Sequence, residues 1–187
     1  KELLRQNAVV GVRAEVEDGK ITRIGITCAL CHSTVDNALL PGIGHRVDGM
    51  PNMDLKVGKI LALLATFNEG QKAILRTWPA GMYDPRFNFD GKSTPIVLPP
   101  AHGLKDVENE TFTAEGPLSY WNAYVAVTQM HGHGNFVDPR LGVNLVKTPD
   151  MVTRKLKALA AYQHAIPAPP PPGAFVVREP IWQPPPR

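Results

Sequence analysis

The chain has 187 residues, a length that suits one domain, and 43% of them are apolar, so a packed core is expected rather than general disorder. Its 20 Lys and Arg against 17 Asp and Glu leave a net charge of +3, which is too small to indicate a nucleic-acid-binding protein. No apolar run approaches the roughly 20 residues that cross a bilayer, so membrane insertion is not expected.

A β-hairpin over residues 8–26 is the first predicted element, and its second arm leads directly into the only two cysteines. Apolar residues alternate along the first arm from Val10 to Val16, and Asp18-Gly19 is typical of a tight turn. Isoleucines then recur along the second arm. We therefore expect this hairpin to brace the cysteine segment.

Helical spacing of apolar residues predominates downstream of the cysteines. Residues 78–100 are an exception, because the Gly, Pro and Asp-Gly positions there are typical of loops. Pro117 suits the first turn of an aromatic-rich helix, which Gly132 and Gly134 would end. The predicted helices cover residues 54–66, 69–77, 117–131 and, with Thr148 as its cap and Pro149 in its first turn, 148–163. The sequence thus predicts a mainly α body with one small hairpin.

Proline is concentrated at the C-terminus. Nine of the 19 prolines lie in residues 167–187, including four in succession from Pro169 to Pro172. Such a run favours the extended polyproline II conformation. We therefore divide the chain into a globular domain over residues 1–166 and a Pro-rich linker or surface strap over residues 167–187. The chain begins without an initiator Met or a signal peptide, so we expect a trimmed piece of a longer precursor.

The two cysteines lie three positions apart and are followed at once by a histidine, in the order Cys28-Ala29-Leu30-Cys31-His32. This C-x-x-C-H spacing is typical of covalent c-type haem attachment. Two thiols at this spacing can add to the two vinyl groups of one porphyrin, and the adjacent imidazole then lies beneath the ring, where it can ligate the iron. The sequence therefore predicts one haem c, attached through Cys28 and Cys31, with His32 as an axial ligand.

Zinc binding, redox exchange and a disulfide are less well supported roles for the two cysteines. A structural zinc site needs four ligands, and no second C-x-x-C or paired His motif supplies the remainder. A thioredoxin-like redox pair would require a βαβ setting, which the flanking residues do not provide. A disulfide across so short a gap would be strained, and it would leave His32 without a role.

Three stretches together resemble the first haem domain of a family of larger bacterial di-haem cytochromes c. They are residues 25–36 around the C-x-x-C-H motif, residues 41–49, and residues 120–134. The helix that ends Leu156-Lys157-Ala158-Leu159-Ala160-Ala161-Tyr162-Gln163 also resembles the L-x-x-Y helix of class I cytochromes c.

The resemblance implies a mainly α, class I-like cytochrome c haem domain, with a small β-hairpin before the haem motif and a Pro-rich C-terminal tail. It also implies an upstream helix and a second haem domain beyond the Pro-rich linker. Since haem is joined to such motifs outside the cytoplasm, the resemblance implies a periplasmic or otherwise exported location.

The sixth iron ligand decides whether the iron only passes electrons or also meets a substrate. Met130 is the first candidate, because it ends the aromatic helix, because the glycines after it would let the backbone approach a ring, and because the resemblance indicates the same position. Met82 is an alternative, since it follows a Pro-Ala-Gly turn. His131 and His133 are further alternatives.

Three other residues are candidates for the haem pocket. Trp121 and Tyr124 lie on the aromatic helix, where they would wall the ring or donate a hydrogen bond to a propionate. Arg46 follows a glycine-containing stretch and has the fork geometry for a bidentate bond to a propionate. Ordinary core packing of the aromatic residues and a solvated charge at Arg46 are the competing interpretations.

We expect an electron carrier with a six-coordinate haem that exchanges electrons with redox protein partners, rather than an enzyme. Two alternatives stay open. One is a haem enzyme with a labile sixth ligand that acts on peroxide or on sulfur or nitrogen oxides, in which His131, His133 or Gln129 would be the distal acid or base. The other is an electron-transfer subunit docked in a larger complex, with the Pro-rich tail as a strap.

Overall fold

The computed structural model describes residues 1–109 and 115–169, and within these ranges the chain is a mixed α and β structure, with 32% helix and 20% strand. The helices are α1 (Glu2–Arg5), α2 (Val57–Leu61), α3 (Glu69–Thr77), α4 (Phe87–Asp90), α5 (Leu118–Tyr124) and α6 (Thr153–Ala165). The strands are β1 (Val12–Glu17), β2 (Lys20–Ile26), β3 (Ser33–Val35), β4 (Arg46–Asp48), β5 (Met82–Tyr83), β6 (Ile96–Val97), β7 (Phe136–Asp138) and β8 (Val143–Leu145).

The prediction of a mainly α, class I-like cytochrome c fold is therefore wrong. The strands pair as four separate two-stranded antiparallel sheets, β1–β2, β3–β4, β5–β6 and β7–β8. In three of these sheets each strand has only two or three residues, which is too short for the alternation of apolar and polar residues that identifies a strand in a sequence. These short strands are defined by hydrogen bonds to a partner segment further along the chain. The residue pattern within one segment does not reveal such a partner.

The hairpin before the cysteines, in contrast, is confirmed. β1 and β2 pair antiparallel along their whole length. Asp18 and Gly19 at the turn have φ of 48° and 70°, and positive φ at both central residues is what a type I′ hairpin turn requires. The hairpin then closes onto the cysteine segment through a hydrogen bond from Thr27 N to Gly11 O of 2.8 Å.

The predicted helices are confirmed in position, but most are shorter than expected. Only α3 matches its predicted bounds, and an Asn-Gln capping box begins it. α2 ends early because the backbone continues with tighter bonds, such as the one from Leu64 N to Leu61 O of 2.9 Å. α6 begins late because Asp150, rather than Thr148, accepts hydrogen bonds from the first backbone amides.

Two apolar clusters form the core, and both include residues from segments that pattern analysis assigns to loops. Leu75 of α3 is 0% exposed, and the ring of Phe87 lies edge-on to that of Trp78 at 5.5 Å between centroids. The clusters comprise Ala62, Leu75, Trp78 and Phe87 on one side and Ala123, Tyr124, Val127, Phe136 and Val143 on the other.

No helix among the described residues is long and apolar enough to cross a membrane. Residues 170–187 lie outside the described part of the chain, so the Pro-rich linker or strap over residues 167–187 stays a prediction.

Candidate functional site

The cysteine segment forms a tight turn that continues directly from β2. Residues 28–30 are a single 3-10 turn, in which Cys31 N and His32 N both donate to Cys28 O, at 3.2 and 3.0 Å. The neighbouring backbone is in close contact with this turn, since a Cβ on Gly11 would lie 2.1 Å from Leu30 N. Only glycine fits at that position, so the backbone of Gly11, just before β1, packs directly against the turn of residues 28–30.

Both cysteines are free thiols, Cys28 exposed and Cys31 half-buried. Neighbouring protein atoms displace water from each sulfur and so raise the pKa of each thiol above its ordinary value, and that of Cys31 reaches about 11 because the nearby Cys28 adds to this effect. The two side chains are therefore protonated at neutral pH, and neither is the activated thiolate of a redox or nucleophilic cysteine.

A backbone carbonyl far along the chain fixes the imidazole of His32. His32 Nδ1 lies 3.0 Å from Pro99 O, and because a carbonyl only accepts, the proton of the neutral ring must be on Nδ1. Burial lowers the pKa of His32 and so favours the neutral ring, while the hydrogen bond to Pro99 O has a smaller effect in the opposite direction. The arrangement leaves Nε2 as the nitrogen that can ligate a metal, and a carbonyl on the other nitrogen is the usual way in which proteins orient such a ligand.

Gly49 completes the support behind His32. Its N–H donates to His32 O at 2.8 Å, and its carbonyl accepts from Ala101 N at 2.7 Å. Gly49 has a φ of 81°, and a Cβ on it would lie 2.7 Å from His102 Cβ and 2.9 Å from Ala101 O. The backbone at residue 49 is thus clamped between the His32 segment and the segment that contains Pro99.

The segment before Met130 departs from regular helix. α5 passes into a π-helical turn over Val125–Gln129, and Met130 N closes it by donating to Val125 O at 2.9 Å. His131 then has a φ of 56°, a left-handed conformation that is uncommon for residues other than glycine. π turns and left-handed residues cluster at functional sites, so this segment is a candidate part of the site in addition to the Cys28–His32 segment.

The other proposed sixth ligands have different surroundings. Met82 is half-buried in β5, opposite Val97 of β6. His133 Nδ1 lies 2.9 Å from Pro149 O, so the imidazole is tied to the loop before α6. His131, which is exposed, lines a cavity of about 240 Å³ together with Gln129.

One sequence-based argument for Met130 is not supported, namely that Gly132 and Gly134 let the backbone approach a porphyrin ring. In the structure the two glycines approach other parts of the chain: a Cβ on Gly132 would lie 2.6 Å from Ala126 O, and one on Gly134 would lie 2.5 Å from the side chain of Val152. Close contact with the backbone of the π-helical turn therefore accounts for glycine at 132, and packing against Val152 before α6 accounts for glycine at 134.

The proposed pocket residues differ in whether their polar groups already have a hydrogen-bond or ion-pair partner within the protein. Tyr124 is 1% exposed and its hydroxyl donates to Pro85 O at 2.6 Å. Arg46 pairs with Asp48, two positions along β4, and stays half exposed. Trp121 Nε1 is buried, yet it has no hydrogen-bond partner among the residues that the structure describes. Trp121 therefore offers a buried donor to a bound group, and Arg46, whose Nε pairs with Asp48, offers the other N–H groups of its half-exposed guanidinium.

Sequence reasoning missed several residues of the site. Pro99 and Gly49 both form hydrogen bonds with His32. Both are distant from His32 in the sequence, and no residue pattern in the intervening segments indicates the contacts. Tyr83 donates a hydrogen bond to Gln129, the residue before Met130. His102 Nδ1 is, with Trp121 Nε1, a buried polar atom without a partner within the described ranges. The glycine at position 49 is the sequence signal for this turn, because a left-handed backbone conformation favours glycine.

The residues present fit a haem c on three observations of this structure. The two thiols are free, the imidazole of His32 is neutral and oriented through Nδ1, and the buried Trp121 N–H lacks an acceptor such as a carboxylate would supply. No group of three or more His, Cys, Asp or Glu side chains that would hold a metal ion by themselves occurs within residues 1–109 and 115–169.

Comparisons of the chain with protein-family models, with curated proteins and with solved structures find no match.

Proposed function

We propose that this chain is a mono-haem c-type cytochrome domain that carries electrons between redox proteins. The observation that carries the proposal is the hydrogen bond from His32 Nδ1 to Pro99 O, in a histidine that directly follows two free cysteines. A carbonyl on Nδ1 is the usual way in which proteins orient a metal-ligating imidazole, and here that contact falls on the histidine of the C-x-x-C-H motif and leaves its Nε2 available. A bound haem would supply the iron that changes between its ferrous and ferric states.

The residues of the chain have separate tasks in this proposal. Cys28 and Cys31 would hold the haem through two thioether bonds, each formed when S–H adds across a vinyl group, with sulfur on one carbon and hydrogen on the other. His32 Nε2 would ligate the iron, and Pro99 O accepts from Nδ1 and so orients the ring. Trp121 Nε1 would donate to a propionate carboxylate, which would give this buried N–H a partner.

Met130 is the proposed ligand on the opposite side of the iron. The irregular backbone from Val125 to His131 supports this choice, because π turns and left-handed residues other than glycine recur at functional sites. A thioether ligand opposite a histidine raises the potential and closes the iron to other ligands, as suits an electron carrier.

The cavity beside Met130 favours a second candidate function. Its volume is about 240 Å³, and the polar side chains of Gln129, His131 and Asn88 contribute to its wall. This volume is enough for a small molecule in contact with Gln129 and His131, the two residues that flank Met130. A haem enzyme with a labile sixth ligand is therefore the alternative, with peroxide or an oxide of nitrogen or sulfur as the class of substrate.

The proposal also implies where the protein acts and with what. Haem attachment of this type occurs after export, so a periplasmic or otherwise exported location accompanies it. The partner is a redox protein, either free, a second haem domain, or a larger complex into which this chain docks as a subunit.

Expression with exported haem-attachment machinery tests the attachment. The unaltered chain should keep its haem through denaturation and acid-acetone extraction, and the double variant Cys28→Ala/Cys31→Ala should lose it. Ser33→Ala, next to the motif but outside it, is the control that should keep the haem. Covalent haem that survives in the double variant would disprove the assignment of the thioether bonds.

Optical spectra with carbon monoxide then separate the carrier from the enzyme. Low-spin spectra in both oxidation states and no response to carbon monoxide are expected of the carrier, whereas a high-spin ferric spectrum with ready carbon monoxide binding indicates the enzyme. Met130→Ala should open the iron to carbon monoxide, and Met82→Ala, which removes a half-buried methionine from β5, should not. A reversal of these two results would transfer the ligand assignment to Met82.

A further inference from the structure

One segment of the chain, residues 81–99, contacts both segments that carry the proposed iron ligands, the one with His32 and the one with Met130. Its C-terminal end carries Pro99, whose carbonyl holds His32. Its two ends are joined to each other by the hydrogen bond from Leu98 N to Gly81 O of 2.9 Å and by the pairing of β5 with β6. Near its N-terminal end, Tyr83 donates through its hydroxyl to Gln129 Oε1. A single closed loop therefore touches both the His32 side and the Met130 side.

The side chain of Gln129 is held at both ends of its amide. Its oxygen accepts from Tyr83, and its nitrogen donates to Asn88 Oδ1 at 3.1 Å and to Thr128 Oγ1 at 2.9 Å. Thr128 is itself fixed, because its hydroxyl donates to Tyr124 O at 2.6 Å. Two of the three groups that hold Gln129, those of Tyr83 and Asn88, belong to residues 81–99.

Tyr83 is suited to be a permanent donor in this arrangement. Burial raises its pKa well above the ordinary value, and the neighbouring Tyr124, Cys31 and Asp84 act in the same direction. The hydroxyl therefore keeps its proton at neutral pH. Its ring also lies edge-on to that of the buried Trp78, at 6.3 Å between centroids, so the position of the hydroxyl is fixed by packing.

We infer that Tyr83 is a positioning residue for the sixth iron ligand, which it places by holding Gln129 and so the backbone that leads into Met130. This inference rests on the proposed function. Because residues 81–99 also carry Pro99, the same loop supports both proposed ligands, His32 through Pro99 O and Met130 through Gln129. Support of this kind keeps a metal ligand within a narrow range of positions.

The test uses the haem-loaded, full-length chain and the variant Tyr83→Phe, which removes one oxygen atom and keeps the ring. The haem should stay covalently attached, because Tyr83 does not touch the thioether bonds. The fraction of ferrous protein that binds carbon monoxide should rise roughly fivefold, the factor that corresponds to the loss of one hydrogen bond of about 1 kcal/mol. The reduction potential should fall at the same time, because a weakened thioether bond to iron stabilises the ferrous form less.

Two further variants separate positioning from general stability. Gln129→Leu removes the acceptor, so it should give the same change, and the double variant Tyr83→Phe/Gln129→Leu should be no worse than the poorer single variant. Tyr120→Phe is the matched control, because it removes a hydroxyl that donates to Asp138 at 2.6 Å and not to the ligand segment. It should lower the unfolding temperature without changing carbon monoxide binding.

The outcomes distinguish the inference from the function on which it rests. A chain that attaches no haem overturns both. A chain that attaches haem, but in which Tyr83→Phe and Gln129→Leu bind carbon monoxide no more than the Tyr120→Phe control, overturns the role of Tyr83 alone. Should Tyr83→Phe fail to fold, Gln129→Leu tests the role of the Tyr83–Gln129 hydrogen bond: increased carbon monoxide binding supports it, and binding equal to that of Tyr120→Phe overturns it.

Discussion

Replacement of Gly49 by alanine is the sharpest test of the support behind His32. Gly49 has a φ of 81°, and a new Cβ would lie 2.7 Å from His102 Cβ, 2.9 Å from Ala101 O and 3.0 Å from Ala101 C. A left-handed alanine costs about 1–2 kcal/mol, part of which the less flexible unfolded chain offsets. Crowding against backbone adds about 1–3 kcal/mol, because the Ala101 peptide cannot rotate away as a side chain would.

Gly42→Ala is the matched control for this substitution. Gly42 has nearly the same φ, 78°, but a Cβ there would meet nothing within 4 Å. Both variants carry the conformational cost, so the difference between them isolates the crowding, and Gly49→Ala should be less stable than Gly42→Ala by about 1–3 kcal/mol.

Urea unfolding of the two variants measures this difference. With a denaturant dependence of about 2 kcal/mol per molar, the midpoint of Gly49→Ala should lie roughly 0.5–1.5 M below that of Gly42→Ala. In the haem-loaded protein, Gly49→Ala should also shift the reduction potential, since Ala101 and Pro99 move together. Equal midpoints for the two variants would show that the backbone at residue 49 is not clamped and that it does not support His32.

Two further predictions concern the core and the thiols. Leu75→Ala should lower the free energy of unfolding by about 2–5 kcal/mol, because the side chain is 0% exposed and leaves a cavity beside Trp78, while covalent haem is retained; a loss below about 1 kcal/mol in urea titrations would contradict the assigned core. At pH 8 a thiol with a pKa of about 11 is roughly a hundredfold less ionised than one at the ordinary value of 9.0, so in the folded chain without haem Cys31 should be alkylated about a hundredfold more slowly than in the urea-unfolded chain. The folded rate should rise with pH up to about 11, and mass spectrometry that found equal folded and unfolded rates at pH 8 would show that Cys31 is not buried.

Local features of the site could be predicted because their causes lie within a few residues of one another. Asp18-Gly19 identifies the turn of the hairpin that precedes the C-x-x-C-H motif, and the spacing of that motif predicts haem attachment. The bounds of α3 are predicted correctly because its capping box and its apolar spacing lie in one short stretch. The pairing of Arg46 with Asp48 is also local, since residues two apart on a strand share a face, and it escapes prediction only because β4 is too short to be recognised as a strand.

The fold class could not be predicted in the same way. Strands of two or three residues carry too few positions for a pattern, and residues 78–100, with their many Gly and Pro, have the composition of a loop. In the structure that stretch includes β5, α4 and β6 and places Trp78 and Phe87 in the core. Apolar burial and backbone pairing with distant segments outweigh the local preference there.

By itself the sequence determined which reactive groups the chain contains, namely two thiols and an imidazole in a C-x-x-C-H motif, and the hairpin that leads into that motif. The tertiary structure alone decided how that chemistry is held. Pro99 comes to His32 from 67 residues away and Tyr83 to Gln129 from 46 residues away. Such contacts depend on how loops close and pack rather than on which residues adjoin, because hydrogen bonds between distant segments form only after the core has brought those segments together.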